Sequence, residues 1–151
     1  MNRDCAEEGL CLRPATIKDA ALLLRWRNDK TTRMASHSTE PVQLDAHIEW
    51  LDAALADKER SLFVAEEDGV PVGTVRADLA NGAHELSWTV SPEARGRGVG
   101  KRMVKLLAGN IEGPIRAEIR QGRLASIRVA EYSGMVLIKE DGDGVLHYLR
   151  E

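Results

Sequence analysis

Aromatic side chains are scarce: three Trp, two Tyr and one Phe make up 4% of the 151 residues. The core must therefore come from Leu, Val, Ile and Ala, and a stacking surface for single-stranded nucleic acid has little to be built from. Two cysteines, Cys5 and Cys11, are too few and too near the start to predict a disulfide scaffold or a metal site. The four histidines are scattered singly, so no metal centre is expected. No apolar run approaches the ~20 residues of a membrane span, and the opening MNRDCAEEG has no apolar signal region. Repeats, low-complexity tracts and Pro/Gly-rich linkers are also missing. A cytoplasmic chain without a membrane segment is the expectation, with a loose polar segment at 1–9 and a single domain at 10–151. What is present supports a packed core: 43% hydrophobic and 30% charged residues in 16.6 kDa.

The net charge of −3 conceals an asymmetry. Between Arg95 and Arg128 stand nine basic residues and two acidic ones, leaving the remainder at −10. An acidic chain that gathers its positive charge in one segment is suited to a local polyanion, although solvated helix faces would read the same way. Overall acidity and few aromatics argue against nucleic acid as that partner.

Leu10–Arg13 is a strand stopped by Pro14, and Thr16 with Asp19 marks a helix start that continues over Ala20–Arg27. A helix follows over Gln43–Ala56, where Ile48, Leu51 and Leu55 repeat at helical spacing. Asp68-Gly69 and Asn81-Gly82 are hairpin signals between strands Ser61–Ala65, Val72–Ala77 and Glu85–Val90. After Pro92 come a helix over Val99–Gly109, a strand Ile115–Arg120, and a helix Leu124–Ser133 capped by Gly134. A hairpin of Met135–Glu140 and Val145–Leu149 closes the chain. The order β-α-α-β-β-β-α-β-α-β-β predicts an α/β (α+β) fold, with a mixed sheet of about seven strands flanked by about four helices.

The most informative segment is Ser91-Pro92-Glu93-Ala94-Arg95-Gly96-Arg97-Gly98-Val99-Gly100-Lys101. It joins a strand to a helix, where free N-terminal amides and the positive dipole end can hold a phosphate. Glycines let the backbone approach the anion, and Arg95, Arg97 and Lys101 add charge. A P-loop is excluded because Lys101 precedes Arg102 rather than Ser or Thr. The dinucleotide fingerprint is excluded because its third glycine would fall on Lys101.

Arg95-x-x-Gly98-x-Gly100, placed after a strand and Pro92, resembles the acyl-CoA loop of the GNAT (GCN5-related) N-acetyltransferases. The predicted element order is also that family's, so the resemblance covers nearly all of residues 10–150. It implies acetyl-CoA as co-substrate, with Arg95, Gly96, Arg97, Gly98, Val99, Gly100 and Lys101 around its pyrophosphate. It also implies that Trp88, Thr89 and Val90 pair with the pantetheine arm, and that a backbone amide near Val90 stabilises the oxyanion. In the front half, Leu12-Arg13-Pro14-Ala15-Thr16, Trp26-Arg27-Asn28-Asp29, Arg33 and His47-x-x-Trp50 resemble a branch that acetylates nucleotide-linked amino sugars in nonulosonic (pseudaminic) acid synthesis. A related branch that acetylates protein N-termini shares parts of this pattern. Dimers are common in the family, which leaves a homodimer open.

Amide formation from a thioester requires a neutral amine and a route for protonating the leaving thiolate. Glu85 and His84 are the base candidates; alternation puts them on opposite sheet faces, so one alone can face the groove. Many family members carry a Glu early in this strand that acts through water, and His84 fits the role by its ordinary pKa. The family's usual acid, a Tyr on the last long helix, falls on Ala130 here, and its usual Asn on Arg123. Tyr132 points some 200° away, which leaves Ser126 or a water to help the thiolate, or the thiolate to leave unaided. Loss of the Tyr also admits a catalytically silent acyl-CoA-binding module. For the acceptor, Arg27 or Arg33 would grip a phosphate, Trp26 would stack on a base or sugar, and Asn28 lies in the same segment. The plainer alternative is a surface ion pair for Arg27 and partial burial for Trp26. His47 and Trp50 share a helix face and either line the acceptor pocket or close the core, the latter favoured for Trp50.

Overall fold

Asp68-Gly69 and Asn81-Gly82 both adopt left-handed backbone at both positions, with φ of 52° and 82° in the first and 53° and 77° in the second. This is the conformation a tight two-residue hairpin needs. In the computed structural model, which describes residues 4–5 and 9–151, the two turns join β3 (Arg60–Glu67), β4 (Val70–Ala80) and β5 (Ala83–Val90) into an antiparallel meander. Ahead of it lie β1 (Asp4–Cys5) and β2 (Leu10–Pro14); beyond it lie β6 (Ile115–Arg120), β7 (Val136–Glu140) and β8 (Val145–Arg150). The sheet order is β1-β2-β3-β4-β5-β6-β8-β7. All neighbours are antiparallel except β5 and β6, which run parallel.

Helices cover both faces. On one, α4 (Val99–Ala108) and α5 (Leu124–Tyr132) pack Val99, Met103, Val104, Leu107, Val129 and Ala130 against Leu10, Leu12, Val75, Leu86 and Ile115. On the other, α1 (Ala20–Asn28) and α3 (Leu44–Ala56) bury Ala20, Leu23, Trp26 and Leu51 against Ala15 and Val64. Gly100 lets α4 sit close, since a Cβ there would come within 3.1 Å of Val129 and 3.3 Å of Val90. Gly134 takes φ +90° as the helix-ending residue after α5.

The expected α/β class and element order are those observed, with two additions. The first is α2 (Lys30–Ala35), capped by the Asp29 carboxylate on the Thr32 amide at 3.3 Å. It buries no residue, so it has no apolar stripe to announce it. The second is the two-residue β1, which corrects two expectations. Cys5 and Cys11 face each other across the β1–β2 pair and form a disulfide, with 4.0 Å between their Cα atoms. Asp4–Cys5 is paired strand rather than loose chain, while residues 1–3 and 6–8 of the expected loose segment lie outside the described residues. At the opposite edge β7 exposes Val136, Leu137 and Ile138. Among the described residues no helix is long and apolar enough to cross a membrane.

Trp26 is 1% exposed and among the largest fully buried side chains, so it presents no ring face on which a base could stack. Its role is packing, deeper than the partial burial the sequence suggested. Trp26→Ala should therefore lower unfolding free energy by about 3–5 kcal/mol, read by chemical denaturation. Trp26→Phe, which keeps most of the ring and removes an indole N–H that has no partner here, should cost clearly less. Equal, small losses for both would contradict the core assignment.

Candidate active site

β5 and β6 are hydrogen-bonded over two register pairs, His84↔Ile115 and Glu85↔Arg116, and then part. From Leu86 to Val90 the β6 side of β5 has no ladder partner, which opens a gap in the middle of the sheet. Both regions singled out from the sequence border this gap: the Gly-rich loop at the C-terminal end of β5, and the base candidates His84 and Glu85 at its start.

In the loop, the Ser91 amide donates to Val72 O at 2.8 Å and the Ser91 hydroxyl to Glu93 at 2.6 Å, fixing the exit from β5. A single 3-10 turn over Pro92–Ala94 follows. Gly98 then stands at the cap position of α4 with φ +73°, a backbone that L side chains rarely adopt, and it supplies no side-chain cap. The first-turn amides of α4 are thus left for an anion. Arginines surround them and pair with carboxylates: Arg97 with Glu67 at 3.0 Å, Arg102 with Glu67 at 2.8 Å, and Arg95 with Asp29. The Arg102 guanidinium, helped by Arg97, holds the Glu67 carboxyl below its usual range, and Arg95 does the same for Asp29. Lys101 instead lies with Lys105 over the Tyr132 ring, at 5.7 and 4.6 Å. Tyr132 is half-exposed there, whereas Ala130 is fully buried.

The other part of the site is a sheet face. Leu86 belongs to the core under α4, with Trp88 and Val90 packed against it. Alternation therefore puts His84 on that side and Glu85, Ser87 and Thr89 on the face of α1 and α3. Here β4 sets Asp78 opposite Glu85 and Arg76 opposite Ser87, and β6 adds Arg116, Glu118 and Arg120. Arg116 approaches Glu85 at 3.6 Å, and Arg76 donates to Asp78 at 3.0 Å. Burial pushes the Glu85 carboxyl up; Glu118 and Asp78 add to the rise while Arg116 opposes it. The structure thus groups Glu85 with charged residues and separates His84 from them.

The front-half residues do different work from that expected. The Asn28 amide clamps Val42 in both directions, donating to its carbonyl at 2.8 Å and accepting from its amide at 2.7 Å. Arg33 donates to Asn28 O at 3.0 Å and Thr39 O at 3.2 Å, and Arg27 donates to Ser38 O at 3.1 Å. These three residues staple the α2–α3 connection over the edge of the open face. His37 of that connection then lies 3.6 Å from Glu118. His47 is buried at 4% exposure, its pKa pushed down by desolvation, with no partner for Nε2. Trp50 stacks on it at 5.8 Å between centroids but is itself 36% exposed, carrying Arg76 over its ring at 5.3 Å. The core preference for Trp50 is thus corrected: the imidazole, one helical turn deeper in the α1–α3 contact, is the buried member. Ser126 sits half-buried in the first turn of α5. Among the described residues no three His, Cys, Asp or Glu side chains gather as a metal site would require.

Asp78, Glu118 and Arg120 escaped the sequence reading. The alternation in Ile115–Arg120 puts its three charged residues on one face, but nothing in the sequence says that this face adjoins Glu85. The grouping has a direct check. The Glu85 carboxyl should titrate above the ordinary Glu range in carbon-detected NMR, and Glu118→Gln should bring it down by removing a like charge. An unchanged midpoint would show that Glu118 does not act on it.

The chain matches the family described as "Acetyltransferase (GNAT) domain" over residues 9–136. No curated protein sequence matches it significantly. Among solved structures it is similar to spermidine N-acetyltransferase from Vibrio cholerae in complex with CoA and spermine, at 17% identity and TM-score 0.82, covering 94% of this chain and 95% of that one. It is also similar to aminoglycoside acetyltransferase AAC(6')-Ib in complex with coenzyme A, at 19% identity and TM-score 0.78, covering 93% and 94%. A ribosomal L7/L12 alpha-N-protein acetyltransferase in complex with coenzyme A gives 13% identity and TM-score 0.82, covering 99% and 97%. The parted strands, the Gly-rich loop ahead of α4 and the family match over most of the sequence lead to one assignment: the chain belongs to the GNAT acetyltransferases and is an acetyl-CoA-dependent N-acetyltransferase.

Proposed function

We propose that this enzyme acetylates the primary amine of a small molecule held on the Glu85 face, with Glu85 as general base. The observation that carries the reading is the grouping of Glu85 with Asp78, Arg116 and Glu118 beside the gap between β5 and β6. Acetyl-CoA supplies the acetyl group as a thioester. The chain's fit to it rests on three features: the left-handed Gly98, the uncapped start of α4, and the unpaired edge of β5 from Leu86 to Val90. Trp88, Thr89 and Val90 on that edge offer backbone groups to an amide-bearing arm, and Arg95 to Lys101 surround its phosphates. Arg95, Arg97 and Arg102 exchange Asp29 and Glu67 for phosphate oxygens.

Glu85 is suited to deprotonating an ammonium because its carboxylate is desolvated and flanked by like charge, which raises its basicity. The same negative charge attracts the ammonium before it gives up the proton. Ser126 at the start of α5 is the hydroxyl assigned to the departing thiolate. The nucleotide-linked amino sugar remains the acceptor class suggested by the front-half resemblance, but Arg27, Asn28 and Arg33 support it only by building the α2–α3 connection, and Trp26 only by packing the core beside it. The homodimer left open by the sequence finds support in the apolar edge of β7.

The test is thiol release from acetyl-CoA with amino sugars, polyamines and short peptides, each hit confirmed by an acetyl mass increment. Glu85→Gln should lower kcat by about 10²- to 10⁴-fold with acetyl-CoA affinity retained, and His84→Gln should stay within a few-fold of wild type. The base must be ionised to act, so kcat/KM should fall as pH drops through the raised Glu85 pKa, above the ordinary 4.5. Gly98→Trp should abolish acetyl-CoA binding. Tight acetyl-CoA binding without turnover of any amine would instead support the silent-module reading, and turnover of peptides alone would move the acceptor to a protein N-terminus.

A further inference from the structure

Beyond Glu118 the charged face of β6 changes sign. Its next outward residue is Arg120, and Arg123 follows at the start of α5. Together with Met34, Gln121, Asp143 and Gly144 they line an open cavity of about 240 Å³ between α2, the end of β6 and the β7–β8 turn. Each guanidinium is anchored through one nitrogen: Arg120 Nη2 donates to His37 O at 3.0 Å, and Arg123 Nη2 to Met34 O at 2.8 Å. Anchoring through Nη2 holds both guanidinium groups in place, and Arg120 Nε is buried with no partner among the described residues. Two like charges lining one cavity repel unless an anion joins them. The one carboxylate in the lining, Asp143, is exposed on the turn, and its residue is tied back through its amide to Asp141 at 2.9 Å.

We propose that this cavity is a second subsite of the acceptor, in which Arg120 and Arg123 receive an anionic group of the molecule whose amine lies at Glu85. The inference rests on the acceptor-face reading above and adds the acceptor's charge pattern to it. The enzyme's substrate is then an amine that also carries a phosphate or a carboxylate. Side chains on one face of a strand recur about every 7 Å. Glu118 is one such step from Arg120, and Glu85 lies opposite Arg116, two steps away. Along the strands Glu85 and Arg120 are therefore about 13 Å apart, a distance bridged by the two side chains with a substituted sugar between them. Guanidinium forks with preset geometry suit both anions, because each offers two coplanar oxygens. The arginines that recognise the acceptor's charge are thus on β6 and α5 rather than at 27 and 33.

The experiment uses the full chain with acetyl-CoA and matched probes: spermidine, glucosamine, glucosamine 6-phosphate, 2-amino-2-deoxyglucuronic acid and UDP-glucosamine. Wild type, Arg120→Gln and Arg123→Gln are compared by kcat/KM from thiol release. At least one anionic sugar should exceed glucosamine by tenfold or more, the scale of one or two charge-assisted hydrogen bonds. The phosphate and carboxylate probes tell the two anions apart. In each variant that ratio should collapse towards one, chiefly through KM. Because both arginines also hold the α2 region, a purely structural role would lower all probes alike and leave the ratio intact; that result would overturn the subsite. So would glucosamine or spermidine matching every anionic probe in the wild type, while leaving the acetyl-transfer reading in place. Turnover of no amine at all would refute that reading and the subsite with it.

Discussion

Two register pairs hold β5 to β6, and the rest of the site depends on their being followed by none. A parallel ladder left open along five residues exposes N–H and C=O groups that a folded chain ordinarily satisfies. Here the open stretch lies in the middle of an eight-stranded sheet, with the flanking ladders complete on either side. The gap is therefore held open by the body of the fold rather than by a mobile edge. An extended, amide-bearing molecule can complete the ladder of β5 and so occupy the place of a missing strand. The anion loop belongs to the same device. Because β5 ends at the gap and α4 starts just beyond it, the uncapped amides of α4 lie where such a molecule's phosphates would emerge.

The parting also determines the electrostatics of the opposite face. With β5 and β6 paired only at their starts, Glu85 is set beside Arg116, and Glu118 is close enough to raise its carboxyl pKa. A guanidinium at 3.6 Å without a hydrogen bond offsets only part of that burial. The carboxylate stays more basic than one in water without becoming locked in an ion pair. Around it, the α2–α3 connection is tied down by Asn28, Arg27 and Arg33; its His37 carbonyl in turn holds Arg120, and the Met34 carbonyl of α2 holds Arg123. Residues that looked like substrate contacts thus hold the α2–α3 connection in place.

The legible parts of the sequence were those where local chemistry decides structure. Asp68-Gly69 and Asn81-Gly82 made hairpins because left-handed backbone there leaves few alternatives. The Thr16/Asp19 pair formed its capping box, and the Gly-rich loop fell between strand and helix as its glycines and prolines required. Anything fixed by register or by packing between distant segments was not legible. Glu118 becomes a neighbour of Glu85 through a parallel pairing of strands some thirty residues apart, which no local pattern encodes. The Cys5–Cys11 disulfide needs the short β1 to fold back on β2. Trp26 and Trp50 exchanged expected roles because an amphipathic spacing shows which residues share a face, not how deeply each sits.

Ala130 bears on the family's usual acid in the same way. It is fully buried beside Val129 and Met135, both nearly so, in the core beneath α5. A tyrosine ring there would have to displace core side chains, and overpacking a filled core destabilises by about 1–3 kcal/mol. The missing phenol is thus part of how this helix packs, not an isolated loss from an otherwise unchanged site. A thiol ionises near pH 8.5, so a thiolate leaves at little cost compared with an alkoxide. The proton on the incoming ammonium is the harder one to move, and under the proposed assignment it would pass to Glu85, whose surroundings raise its basicity. With Glu85 as the proposed base, the proton chemistry would be concentrated where the charged groups of β4, β5 and β6 are gathered.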